Sequence, residues 1–339
     1  MKRWLVCLSL LFSTCVGAQA DLEPLTLPDL DALSLDAPLT VVATTSIIGD
    51  VVAKVGGDAI TLTTLLEPGQ DPHGFEPAAR DLAKASEAQA IFVNGWGLEA
   101  SLLETLQAAA GGVPFVPVSA GIAPLEFAGE QGGEHDDEEH DGEEHGAEEQ
   151  EEHEEHDHAA ADPHTWLNVT NVMQWATNIQ NVLSALDPNN ADTYAANAAA
   201  YRAQLEELEA YAQDTFSALP EEQRKLVTNH DAFGYLAAAY NFEVVGAVIP
   251  SLSTVAEPSA GDLTRLIAEM EREGVCTLFN ETTSSSSLAE TVAAELDGCD
   301  EVQVLSLYTG ALGPTGSGAD SYLSMMRNNI DTMTAGLGE

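Results

Sequence analysis

A strand-then-helix rhythm, run twice, constrains this chain more than any other property. Leu39–Thr44 is a β-branched apolar run that predicts a strand, and Ser46 to Val55 predicts a helix with Ser46 as N-cap. The alternation continues through a strand at Ala59–Leu66, a helix at Ala78–Ala88, a strand at Ala90–Val93, a helix at Leu98–Ala109 and a strand at Val113–Val118. Two helices then follow in succession, Trp166–Leu186 and Asn190–Ser217. The second contains neither Gly nor Pro and would run ~40 Å at 1.5 Å per residue. After Pro220 the rhythm restarts, with strands at Lys225–Thr228, Phe242–Ile249, Cys276–Phe279 and Glu301–Leu305. Helices at Ala232–Tyr240, Asp262–Arg272 and Ser286–Leu296 separate them, and a last helix begins at Asp320. Strands that alternate with helices form parallel sheets with helices packed on their faces. The expected fold class is therefore α/β: two lobes, residues 39–188 and 219–339, joined by one long rigid helix at 189–218.

Three segments stand outside this rhythm. Lys2-Arg3, the apolar run Trp4 to Val16 and Ala18-Gln19-Ala20 read as a secretory signal peptide over residues 1–20. The apolar run is shorter than the ~20 residues a membrane span needs. Cys15 offers the alternative of a lipid anchor, although Phe12-Ser13-Thr14 departs from the small residues that precede a lipidated cysteine. Residues 21–38, rich in Pro and Asp, read as an extended N-terminal lead. Residues 130–160 are almost purely acidic, histidine-rich and without apolar periodicity. Such a block cannot bury enough surface to offset its ordering entropy, so a disordered surface loop is expected.

Charge and cysteines narrow the class further. The formal net charge is −45, and the stretch from Glu130 to Asp157 holds 16 of the 56 acidic residues. The remainder still has 40 acids against 11 bases, which argues against nucleic acid or an anionic membrane as partner. Salt adaptation and cation attraction both fit such a surface. Once the signal is removed, only Cys276 and Cys299 remain. In an oxidising compartment such a pair is expected to form a disulfide, closing a loop worth roughly 3 kcal/mol. Two buried thiols are the alternative. The loop at Thr309–Gly318 is Gly-rich and precedes a helix, but it lacks a phosphate-binding pattern and reads as a turn.

The nine histidines fall into two groups. His135, His140, His145, His153, His156 and His158 lie in the acidic run at irregular spacing, which suits weak, exchangeable metal binding at several positions. His73 and His164 each sit in an Asp-Pro-His turn, and His230 ends the first strand of the second lobe. Ligands of open α/β sheets gather beyond the carboxyl ends of strands, so these three imidazoles are expected to meet in the cleft. Proline before His73 and His164 restricts the backbone that presents each ring. Three neutral imidazoles suit Zn²⁺. Asp71 or Asp231 is expected to orient the rings from behind.

The chain resembles the metal-specific substrate-binding proteins of ABC importers, the zinc and manganese family called cluster A-I. The resemblance rests on Asp-Pro-His-Gly-Phe-Glu-Pro at 71–77, Asp-Pro-His-Thr-Trp-Leu-Asn at 162–168 and His-Asp-Ala-Phe-Gly-Tyr-Leu at 230–236. The Val41 to Ser46 strand, the Asp320 to Met326 stretch and the acidic His-rich loop add to it, so it spans about residues 39–336. It implies two four-stranded Rossmann-like lobes, a rigid linking helix and a zinc site in the cleft. It also implies delivery to an ABC permease in the membrane, driven by a cytoplasmic ATPase. Many members take a fourth ligand, an aspartate, from the loop after the last strand, where this chain has Gly310. The fourth position is then left to water, to Glu76 or Glu281, or to a loop histidine. His230 and the absence of an acid at 310 both favour zinc over manganese.

The function expected is capture of Zn²⁺ in the periplasm by a monomer and its delivery to an importer, with Zn²⁺ as the transported ligand and no catalytic residues. A periplasmic zinc buffer or metallochaperone without a permease is the alternative. A three-histidine zinc hydrolase or hydratase is the distant one, since the chain has neither His-Glu-x-x-His nor Gly-x-Ser-x-Gly.

Overall fold

The computed structural model describes residues 22–127 and 160–338. The signal-peptide reading, with Cys7 and Cys15, and the acidic loop with its six histidines lie outside the described residues, except for Ala160.

The first lobe runs β1 (Leu39–Ala43), α1 (Ser46–Gly56), β2 (Ile60–Thr64), α2 (Ala79–Ser86), β3 (Ala90–Val93), α3 (Ala100–Ala109) and β4 (Phe115–Pro117). Its sheet has the order β2-β1-β3-β4, and every pairing is parallel. Ile47, Ile48, Val51, Val52 and Val55 make one face of α1 apolar and are all buried. The helix approaches β2 closely at Gly49, where a Cβ would fall 2.4 Å from the Thr64 hydroxyl. Its cap is Thr45, whose hydroxyl accepts from the Ile48 N–H at 3.2 Å, one residue earlier than the sequence suggests.

A short antiparallel ribbon, β5 (Glu126–Phe127) with β6 (Ala160–Ala161), follows the first sheet. Residue 160, expected in the disordered loop, is thus a strand residue. Helix α4 (Val169–Leu186) starts three residues later than expected. The Asn168 side chain accepts from Thr170 N–H at 2.9 Å and caps it, while Trp166 turns into the core on a 3-10 turn at Thr165–Leu167. Helix α5 (Ala191–Ser217) buries Tyr194, Ala198, Tyr201, Leu205, Leu208, Ala212 and Phe216 at helical spacing.

The second lobe repeats the pattern: β7 (Lys225–His230), α6 (Gly234–Tyr240), β8 (Glu243–Ile249), α7 (Ala260–Glu273), β9 (Thr277–Glu281), α8 (Ser287–Glu295), β10 (Gln303–Leu307) and α9 (Tyr322–Leu337). Its sheet, β10-β9-β7-β8, is again wholly parallel. The architecture is two parallel α/β lobes with a long central helix. A disulfide joins Cys276, immediately before β9, to Cys299.

The N-terminal lead is more than a tail. From residue 22 it has no regular secondary structure, yet Leu27, Leu30 and Leu35 pack on the core. The Leu33 N–H donates to Leu186 O at 2.9 Å, and Leu25 O accepts from Gly121 N–H at 2.9 Å. The Gly-rich loop after β10 also does more than turn. Leu312 donates its N–H to the Ser46 hydroxyl at 3.0 Å and accepts from the Gly69 N–H at 3.0 Å, so the loop bonds across to the first lobe. Tyr322 N–H, opening α9, donates to Asp50 of α1 at 2.9 Å.

Candidate metal centre

Each histidine of the cleft is placed by a different local device. His73 lies in the loop between β2 and α2, where Asp71 Oδ1 accepts its backbone N–H at 3.0 Å. His164 lies just before α4, and Asp162 Oδ1 accepts its backbone N–H at 2.8 Å. The two Asp-Pro-His turns therefore share one construction, an aspartate side chain that closes on the N–H two residues ahead. His230 is the last residue of β7 and sits at a carboxyl strand end, where the sheet topology gathers ligands.

The three rings meet. His164 Nε2 stands 3.3 Å from His73 Nε2 and 3.0 Å from His230 Nε2, and the ring centroids are 4.9 to 5.3 Å apart. His164 and His230 are each 1% exposed, whereas His73 is only partly buried. Among the described residues these three alone form a group whose donor atoms could share an ion. A tetrahedral ion with bonds of about 2.0–2.1 Å spaces its donors by about 3.3 Å, so the rings are set for one. Glu76 is exposed and does not join the group, and neither does Glu281, so neither expected fourth ligand is in the set.

Glu281 stands behind His230. It ends β9, is 2% exposed, and its Oε1 is hydrogen-bonded to His230 Nδ1. Its Oε2 accepts from the Thr309 hydroxyl at 2.6 Å. Asp162 does the same for His164, meeting Nδ1 at 2.8 Å with the oxygen that also takes the backbone N–H. Both Nδ1 atoms are thereby occupied, which leaves both Nε2 atoms to face the cleft. The expected orienting residues fare differently. Asp71 holds the His73 backbone and accepts from the Thr254 hydroxyl of the second lobe, whereas Asp231 lines a different cavity with Pro250 and Arg265.

Burial pushes the His73 pKa down to about 3, helped by the neighbouring His164 and His230. Burial likewise holds His164 well below the ordinary imidazole value. Both rings are therefore neutral donors at physiological pH. Burial lifts Asp162 to about 7 against the hydrogen bond from His164 N–H. Burial also acts to raise Glu281, but the attraction and hydrogen bond of the neighbouring His230 ring, with the Thr309 hydroxyl, outweigh it and hold Glu281 below its ordinary value.

Sequence reasoning missed the support around these residues. Asn94, immediately after β3, donates to Pro163 O at 2.7 Å and so pins the second turn. Its N–H and the Thr44 hydroxyl both donate to Glu99 Oε1, at 2.8 and 2.7 Å, although Glu99 is 1% exposed. Trp166 donates its indole N–H to Thr309 O at 2.7 Å, and Tyr322 donates its hydroxyl to Trp166 O at 2.7 Å. Only Asp162 had a local signal, its place in the repeated turn. A cavity of about 320 Å³ reaches the His73 side of the cleft between Trp96, Leu98, Ala161, Leu252 and Val255.

Residues 41–336 match the family model ZnuA, described as zinc-uptake complex component A, periplasmic. The chain belongs to this family. ZnuA-family proteins are cluster A-I substrate-binding proteins of ABC metal transporters, and not enzymes. The manganese-binding lipoprotein MntA of Halalkalibacterium halodurans is 34% identical over 303 residues, 89% of each chain. The manganese ABC transporter substrate-binding lipoprotein PsaA of Streptococcus pneumoniae is 32% identical over 310 residues, 89% of this chain and 90% of that one. Among solved structures, the periplasmic zinc-binding protein TroA from Treponema pallidum superposes with a TM-score of 0.75 at 28% identity. It covers 89% of this chain and 99% of TroA. A manganese-bound periplasmic metal-binding protein from Candidatus Liberibacter asiaticus follows at 0.72 and 25%, covering 88% and 99%. Relatives named for manganese thus stand beside one named for zinc.

Proposed function

We propose that this ZnuA-family protein captures Zn²⁺ outside the cytoplasm and presents it to an ABC permease. The observation that carries the metal assignment is the donor set: three imidazoles, with both nearby carboxylates turned to the backs of rings. Imidazole is a donor of intermediate softness that suits Zn²⁺, while Mn²⁺ lies lowest in the affinity order and favours oxygen donors. His73, His164 and His230 hold the ion, and a water completes the tetrahedron. The relatives named for manganese motivate the competing reading, Mn²⁺ capture by the same histidines.

Titration calorimetry with each ion, and with one ion in the presence of the other, separates the two readings. Zinc is expected to bind one tight site and to displace manganese. Preferential manganese binding, or tight zinc binding that survives replacement of all three histidines by alanine, would overturn the assignment. Export is by a signal peptide at 1–20, with a lipid anchor on Cys15 as the variant that the lipoprotein relatives favour; mass spectrometry of the mature N-terminus distinguishes them. The His-rich acidic segment serves as an auxiliary collector. Deleting residues 134–158 should leave the tight site intact and remove weaker ones.

A further inference from the structure

The buried histidines are oriented by unequal means. His164 depends on Asp162, two residues away in its own turn. His230 depends on Glu281, 51 positions away on another strand. A carboxylate rotates easily about its last bond, so Glu281 needs something to hold its plane. Asn229 reaches Oε1 only at 3.4 Å, but the Thr309 hydroxyl takes Oε2 at 2.6 Å. Thr309 is itself 0% exposed, and its carbonyl accepts the indole N–H of Trp166, two residues beyond His164. The Trp166 ring also packs on His164, with centroids 5.3 Å apart.

We infer that Thr309 is a positioning residue for the metal centre: its hydroxyl fixes Glu281 behind His230, and its carbonyl ties that assembly to Trp166 beside His164. The thread His230–Glu281–Thr309–Trp166 crosses between the lobes without touching the ion. The second-lobe histidine is then aimed correctly only while the loop after β10 is seated on the first lobe. Metal affinity and lobe register are coupled through one hydroxyl and one carbonyl. The inference rests on the three-histidine reading of the site.

The test measures zinc affinity by competition with a chromogenic chelator for wild type, T309S, T309V and T309A. Serine keeps the hydroxyl and loses a methyl, valine keeps the shape and loses the hydroxyl, and alanine loses both. Loss of an orienting group behind a ligand costs metal affinity of the order of 10–100-fold. T309V and T309A should show that loss and T309S should stay within a few-fold of wild type, so a folding failure in one variant leaves the other comparison. The loss in T309V should also be non-additive with E281Q and additive with D162N, because only Glu281 shares the thread. Equal affinity of T309S, T309A and T309V, or additivity of T309V with E281Q, would overturn the inference. Failure of wild type itself to bind zinc at the histidines would instead overturn the site reading.

Discussion

At the scale of single residues, the centre works by keeping the His73 and His164 imidazoles neutral and the two buried rings aimed. The Asp162 carboxylate holds the His164 ring through Nδ1 at 2.8 Å, so D162N should weaken zinc binding about 10–100-fold while leaving the fold intact. Chelator competition with a circular-dichroism control checks this, and an unchanged affinity would deny Asp162 the role. The pH behaviour follows from the direction of the shifts. His73, held at about 3, and His164, held well below 6.5, regain ordinary pKa values on unfolding and take up protons. The stability they contribute is whole above about pH 6.5 and drains away as pH falls toward their folded values. Asp162 runs the other way: held at about 7, it keeps its proton below that pH when folded and releases it on unfolding between 3.8 and about 7. Burial raises Asp50 and Glu99 in the same direction as Asp162, so opposing groups set the net slope, and the His73 share is isolated by removing that ring. Relative to H73N, metal-free wild type should therefore lose melting temperature more as pH falls from 7 to 5. Parallel slopes for the two proteins would contradict this origin. Much of the site was legible at this scale. The histidines announced themselves through residue type and the repeated Asp-Pro-His turn. Glu281 stood out only as a possible ligand and not as the group behind His230, and Thr309 gave no signal, because 51 and 28 positions of chain separate each from the group it serves and only sheet order brings them together.

The elements show where local rules sufficed and where tertiary contacts overrode them. Ala90–Val93 was read as found, and α5 to within one residue, because uninterrupted apolar runs and a helix without Gly or Pro leave few competing conformations. The helix expected at Trp166 fails for its first turn. Trp166 gains more from the core and from Thr309 than from continuing the helix, and Asn168 then supplies the cap. The strand order β10-β9-β7-β8 could not be read from the rhythm, since alternation gives the parallel class but not the neighbours. Helix α5 also carries an unspent cost. Tyr201 is 2% exposed, and its hydroxyl has no hydrogen-bond partner among the described residues. Leaving a buried hydroxyl unsatisfied costs about 1–3 kcal/mol. Y201F should therefore raise the unfolding free energy by about 1 kcal/mol in a urea titration, whereas a loss would reveal a bound water or partner at that hydroxyl.

At the scale of the whole molecule, charge and topology act together. A net charge of −45 on one chain repels itself as well as attracting divalent cations. The Debye length shrinks from about 30 Å at 0.01 M salt to about 10 Å at 0.1 M. The midpoint of thermal unfolding should accordingly rise with sodium chloride across that range, while the zinc association rate falls in stopped-flow measurements. A midpoint indifferent to salt would mean that self-repulsion is already relieved in the fold. The β5–β6 ribbon bears on a different use of the protein. Because Phe127 pairs with Ala160, the chain leaves and re-enters the first lobe about one strand spacing apart. Closing a segment between two such neighbouring ends costs only about 0.6 kcal/mol more for each doubling of its length, so its length can vary widely. Ala160 and Ala161 also line the cavity that reaches His73. A fluorescent domain spliced between residues 127 and 160 would stand at the mouth of the cleft, turning a metal-uptake protein into an optical reporter of the ion it binds.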